Sequence, residues 1–328
     1  MLIRMPKELS YESANDVLRS LPTDQVPKVI FDFSSLEFSN PLPMLMLGGG
    51  VRKFAKKRRE SGLSTAVSGL SSSVAAHSYL DHLGFFDFIN LPNRNPLGSA
   101  RGNSHYIPIK RISREKFAVS NGDREGLHEA LIDEADAMAL VLAGYDLTEY
   151  EVRRGLTYCI KEIVRNVFEH SGSNECFIAG QRWRDDSVEI VIMDEGVGIL
   201  KTLSESYSLA SDHDALISAI KPGVSRISNL AQSLNLSDNS GFGLYVLSQI
   251  GQRFGQFVLG SGTAALCQQT GKKAEIEPTK FFGTFVGVRM NERPANFRLL
   301  LDEIVEIGEK EATHAGIQGK ASSSSKMS

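Results

Sequence analysis

The 328-residue sequence predicts an α+β fold, with a C-terminal two-layer α/β sandwich and a smaller N-terminal α/β domain. Three observations predict it. Residues 92–103 are polar, rich in Gly and Pro and without period, and read as a linker. Before them, short strand-like runs alternate with helical patterns. After them, helical segments precede and interrupt a mostly antiparallel set of strand-like runs, the order of an α+β sandwich and not of a doubly wound sheet. The length agrees, since about 100–200 residues per domain gives two.

In chain order, Val29-Ile-Phe-Asp-Phe33 is a short buried strand between Pro27 and Ser34. A helix follows Pro43, carries Met44, Leu45, Leu47, Val51 and Phe54, and ends in Lys56-Lys-Arg-Arg59, with Gly62 as its C-cap. Gly48, Gly49 and Gly50 weaken that helix by about 1 kcal/mol each relative to Ala; close packing is one reason to keep them. Ser64–Gly69 reads as a strand and Ser72–Leu83 as a helix. Beyond the linker, Tyr106–Ile112 is an edge strand because of Pro108. Helices are expected over 124–142 and 147–170, and strands at Cys176–Trp183, Val188–Met193, Gln256–Leu259 and Phe282–Met290. The expected division is 1–91, linker 92–103, a second domain over 104–312, and a polar, disordered tail over 313–328.

Composition excludes several classes. Hydrophobic residues are 41% and charged residues 23%, an ordinary globular balance, and the formal net charge is -3, so the chain as a whole does not attract nucleic acid. The basic run Lys56–Arg59 reads more simply as a complement to the C-terminal dipole of its helix. The three cysteines lack zinc spacing. No apolar run approaches the roughly 20 residues of a membrane helix, so no membrane partner and a cytoplasmic location are expected.

Four motifs carry chemistry. Glu162 and Asn166 lie four apart on the helix over 147–170, off its apolar face. An Asn amide oxygen there suits Mg²⁺ and phosphates, and Glu162 could activate a water or hydroxyl; a solvated polar stripe is the other reading. Asp194 ends an apolar strand and is followed by Gly196 and Gly198. A carboxylate at a strand end accepts from an adenine amino group, and the glycines let backbone approach a flat base; a plain glycine turn also fits. Gly241 and Gly243 open a helix, where backbone N–H groups offer an anion site. The third glycine of a dinucleotide fingerprint is missing, and no GxxxxGK[ST] loop occurs. Gly283-Thr284 puts a hydroxyl on a strand, within direct or water-mediated reach of a base.

In this order the motifs resemble the GHKL ATP-binding superfamily, which includes gyrase-type topoisomerases, mismatch-repair ATPases, histidine kinases and bacterial anti-sigma serine kinases. The resemblance covers roughly residues 104–292 and implies a mixed sheet backed by helices, with ATP and Mg²⁺ as cofactors. It assigns Glu162 as catalytic base, Asn166 as the metal ligand in the nucleotide site, Asp194, Gly196 and Gly198 to the adenine, Gly241 and Gly243 to the phosphates, and Thr284 to the last motif. Residues about 200–240 correspond to a mobile lid, with Lys221 or Arg226 able to touch phosphate or simply solvated. Glu169 stands where histidine kinases usually have Lys, which brings the pattern closer to the anti-sigma serine kinases. His170 is a packing or capping residue as readily as a ligand. Residues 29–70 resemble a STAS domain, but Pro41 or Leu42 fills the place of its phosphoacceptor, with Ser39 as the one substitute. The resemblance implies an ATP- and Mg²⁺-binding regulatory protein, a slow ATPase or serine kinase acting on a protein partner, or a nonenzymatic nucleotide-gated adaptor. Oligomeric state stays open, a homodimer included.

Overall fold

The computed structural model describes residues 1–23, 26–90, 102–117, 124–144, 150–225, 241–294 and 296–317. Most of the expected linker, residues 226–240 of the expected lid with Arg226, and residues 318–328 of the expected tail lie outside the described residues.

The N-terminal unit runs β1 (Leu2–Arg4), β2 (Glu8–Leu9), α1 (Tyr11–Arg19), β3 (Lys28–Asp32), β4 (Phe38–Ser39), α2 (Pro41–Glu60), β5 (Ser64–Ser68), α3 (Ala75–His82) and α4 (Phe85–Phe88). Strands β1, β3 and β5 form a parallel sheet in that order, and β2 pairs with β4. Gly62, with φ +72°, follows Ser61, the C-cap of α2. The basic end of α2 does more than answer the helix dipole. Arg58 is buried and donates to the carbonyls of Val26 (2.7 Å) and Ser64 (2.8 Å), tying α2 to β5.

The C-terminal unit runs β6 (Tyr106–Ser113), α5 (Arg124–Ala143), α6 (Tyr150–His170), β7 (Glu175–Arg182), β8 (Val188–Asp194), α7 (Ile199–Leu203), α8 (Asp212–Ala219), α9 (Gly243–Phe254), β9 (Gly255–Gln269), β10 (Glu275–Met290) and α10 (Phe297–His314). Its sheet has the order β6-β7-β8-β10-β9. Every pairing in it is antiparallel, so the sheet is not mixed as the resemblance implied. The last two strands are far longer than the apolar runs that announced them. Their outer halves meet in a hairpin, where Ala264, Ala265 and Leu266 are buried although no strand was expected there.

Alternation along β8 separates two cores. Val188, Ile190 and Ile192 face the helices α5, α6, α9 and α10, while Val191 and Met193 face the N-terminal unit. The second core joins Phe31, Phe33, Phe85, Phe86 and Phe88 to Phe177, Val191, Met193, Phe281 and Phe285 of the sheet. Phe88 meets Phe177 with ring centroids 4.9 Å apart. The N-terminal unit thus covers the sheet face opposite the helices. At about 1.5–3 kcal/mol per fully buried large apolar side chain, this face contributes on the scale of a domain core.

The three consecutive glycines of α2 make the approach. A Cβ built at Gly48 lies 2.9 Å from the Phe88 ring, at Gly49 2.5 Å from Sδ of Met193, and at Gly50 2.2 Å from Cδ2 of Leu18.

Glu189 anchors the helix start. Pro41 and Pro43 have no N–H, and Met44 donates to the Asn40 carbonyl (3.1 Å). Leu42 N–H is therefore the one donor of the first turn without a helical acceptor, and Glu189 Oε1 accepts from it at 2.6 Å. Arg289 Nη1 lies 3.6 Å from the other oxygen. Burial raises this carboxyl to about 7, opposed by the Leu42 N–H and Arg289. A carboxyl with a raised folded-state pKa favours folding while protonated. That stability is complete below about pH 4, the unfolded value, and is lost as pH rises through about 7. Glu189→Gln is expected to remove about 2 kcal/mol of stability change between pH 5 and 8, read from urea midpoints. A slope identical to that of the wild type rules the anchor's titration out.

Candidate functional site

A cavity of about 830 Å³, mouth included, opens between the helix face of the sheet and α6, α7 and α9. Asn166, Asp194, Gly198, Gly241, Gly243 and Thr284 all line it, within an apolar wall that includes Ile163, Ile192, Leu259 and Val286. A mostly apolar lining with a few convergent polar groups is that of a small-molecule site. Glu162 and Gly196 are not part of the lining.

The period of two along β8 puts Asp194 on the same face as Ile190 and Ile192, and so into this cavity. Its register neighbours are Thr284 on β10 and then Ser261 on β9, a polar row across an otherwise apolar sheet. Asp194 is 3% exposed, and its Oδ1 accepts from Gly196 N–H at 2.7 Å. Burial raises its carboxyl to about 7, against the lowering effect of the Gly196 and Thr284 backbone groups; Glu195 nearby adds to the rise.

The loop after Asp194 is held on several sides. A Cβ at Gly196 would lie 2.3 Å from the Ser171 carbonyl oxygen, so glycine here serves the turn rather than the cavity. Gly198 has φ +82°, a conformation costly to other residues. Ser261 Oγ accepts from Ile199 N–H (3.0 Å) and donates to the Gly283 carbonyl (3.0 Å). Val197 N–H donates to the Ser171 carbonyl (2.8 Å), and Thr202 Oγ1 donates to that of His170 (3.0 Å). These bonds bring the end of α6, with Asn166, beside the end of β8. The Asn166 amide makes no hydrogen bond to any described residue.

Glu162 is neither solvated nor at the cavity wall. It is fully buried, with Oε2 2.7 Å from Nη2 of Arg165 and Oε1 3.4 Å from Nζ of Lys161. A Cβ at Gly243 would lie 2.8 Å from Glu162 Oε2, so the glycine that opens α9 makes room for this carboxylate. Gly241, with φ +70°, packs against the backbone of Gly223 and Val224 and accepts from Gly223 N–H at 3.2 Å. Val224 and Ser225, from the part of the expected lid that is described, line the cavity; Lys221 is exposed and outside the lining.

Ser261, Ser171 and Thr202 are the contributors that the sequence reading did not single out. Only strand register and helix-end geometry reveal them. In the N-terminal unit, Ser39 is 5% exposed, its Oγ donating to the Asn40 carbonyl (3.2 Å), and Pro41 and Leu42 are buried at the start of α2. Among the described residues no helix is long and apolar enough to cross a membrane, and no group of three or more His, Cys, Asp or Glu could hold a metal by itself. No protein-family model matches the chain, and no curated protein or solved structure matches it either.

Proposed function

We propose that the chain is an ATP- and Mg²⁺-binding regulatory protein that controls a protein partner through nucleotide occupancy. One observation carries the reading: Asn166, Asp194, Gly198, Gly241, Gly243 and Thr284, drawn from separate elements, border one cavity with a buried carboxylate in its wall. Ionised Asp194 accepts from the exocyclic amino group of adenine, and the apolar wall takes the flat base. The start of α9 offers backbone N–H groups to phosphate. Asn166 Oδ1 is a hard oxygen ligand, and a Mg²⁺ ion held at a single protein oxygen completes its shell with phosphate oxygens and water, as this ion prefers.

Turnover by this protein is slow, because the proposed base starts outside the cavity. Glu162 pairs with Lys161 and Arg165 at zero exposure and must leave that pair to meet a water or a hydroxyl. The same burial supports a second reading, a nucleotide-gated adaptor without turnover.

Calorimetric titration with ATP and Mg²⁺ tests binding, with Asn166→Ala expected to weaken it in the presence of Mg²⁺ and to matter little when EDTA is present. Equal affinity of Asn166→Ala and wild type with Mg²⁺ would refute the metal role. Glu162→Gln keeps the side-chain shape and is expected to preserve ATP affinity while lowering phosphate release about 100-fold or more. Turnover that is measurable and unchanged in Glu162→Gln removes Glu162 as base; no turnover in either protein selects the adaptor.

A further inference from the structure

Helix α2 belongs to the N-terminal unit, yet its middle lies beneath the turn that carries Asp194. Gly49 faces Met193, the residue before Asp194. One turn further, Arg52 Nε lies 3.2 Å from Oε1 of Glu195, the residue after it. The Arg52 guanidinium is held on other sides too. Its Nη1 donates to the Phe88 carbonyl (3.2 Å), and it lies over the rings of Phe88 (5.4 Å) and Phe177 (5.3 Å). A planar cation fixed by a carbonyl and two rings is pre-organised, so little freedom is lost in holding Glu195. Both partners are sheltered, with side-chain exposures of 34% and 24%.

We propose that Arg52 is a positioning residue of the nucleotide site, supplied by the N-terminal unit: by pairing with Glu195 it keeps a second negative charge from acting unopposed on the purine-binding carboxylate one residue earlier. This rests on the ATP-binding reading above. The physical consequence is linkage. Docking of α2 places Arg52 against Glu195 and so favours nucleotide binding, and bound nucleotide favours docked α2 to the same extent. The N-terminal unit thereby acts as the transmitter between the cavity and whatever partner contacts that unit.

The experiment is ATP titration by calorimetry on full-length wild type, Arg52→Ala, Glu195→Gln, the double variant and Asp194→Asn. Arg52→Ala is expected to weaken ATP binding about tenfold, within the range of coupled sites. Glu195→Gln, which removes the charge along with the pair, is expected to stay within about threefold of wild type, and the double variant to match Glu195→Gln rather than Arg52→Ala. That rescue separates compensation of the Glu195 charge from a general loosening of the fold, which a second substitution does not repair. The proposal is overturned if Arg52→Ala binds as wild type while Asp194→Asn has lost binding, or if the double variant is as weak as Arg52→Ala. Should Asp194→Asn bind ATP unchanged, the nucleotide reading itself falls and this inference with it.

Discussion

Asp194→Asn is expected to bind ATP roughly 100-fold more weakly than wild type, with residual binding that no longer depends on pH in the way that the wild type's does. Magnitude and sign both come from the environment of the side chain. A hydrogen bond to a buried charged group contributes about 1.5–3 kcal/mol, which is roughly 10- to 150-fold in affinity. The carboxyl is raised to about 7 by burial, so at pH 6 most molecules carry it protonated. Protonated Asp194 offers the adenine amino group a poorer acceptor. Wild-type affinity is therefore expected to rise about tenfold between pH 6 and pH 8. Because ATP itself titrates near this range, the comparison is the ratio of wild type to Asp194→Asn at each pH. Discrimination against GTP follows from the same atom, since guanine presents a carbonyl oxygen where adenine presents the amino group. A ratio that is flat with pH, or equal affinities for ATP and GTP, contradicts the assigned role of the carboxylate.

Gly49→Val is expected to destabilise the protein by about 2–3 kcal/mol and to loosen the N-terminal unit from the sheet. Two effects oppose each other. Replacing a helical Gly by Ala gains about 1 kcal/mol of helix propensity. A Cβ at Gly49, however, lies 2.5 Å from Sδ and 2.7 Å from Cε of Met193. The Met side chain yields to a single methyl, so Gly49→Ala is expected to stay within about 1 kcal/mol of wild type. Valine recovers less propensity and adds two branches at the same contact, and the overpacking then dominates. Urea unfolding of the three proteins measures this, and a Val variant as stable as the Ala variant shows that α2 does not need its close approach.

Much of the fold was legible because buried faces leave periods. The strand at Val188–Met193 and the helices near 124–142 and 147–170 were read within a few residues of β8, α5 and α6. Helix α10 was legible and unread: Phe297, Leu300, Leu301, Ile304, Val305, Gly308 and Ala312 are buried at helical spacing behind an Asn296 cap. The outer half of β9 was legible and unread, since Ala264, Ala265 and Leu266 are buried there; the facing half of β10 mixes Glu275, Glu277 and Lys280 with Ile276 and Phe281 and shows no clean alternation. Asp194 and Asn166 were accessible from their places at a strand end and in mid-helix. Ser261 was not, because its neighbour Thr284 lies across a register that no local pattern encodes.

The sequence by itself determined the α+β class, the alternation along β8 that turns Asp194 toward the helices, and the four-residue spacing that sets Glu162 and Asn166 near one another on α6. These are consequences of backbone periods, which act over a few residues. Tertiary structure alone decided that Glu162 is buried against Gly243 of α9 and outside the cavity lining, that Gly48, Gly49 and Gly50 seat α2 against its neighbours, and that Arg52 reaches Glu195 across 143 positions of chain. Each of these depends on which distant surfaces meet, and packing and charge pairing act through space without leaving a period along the chain.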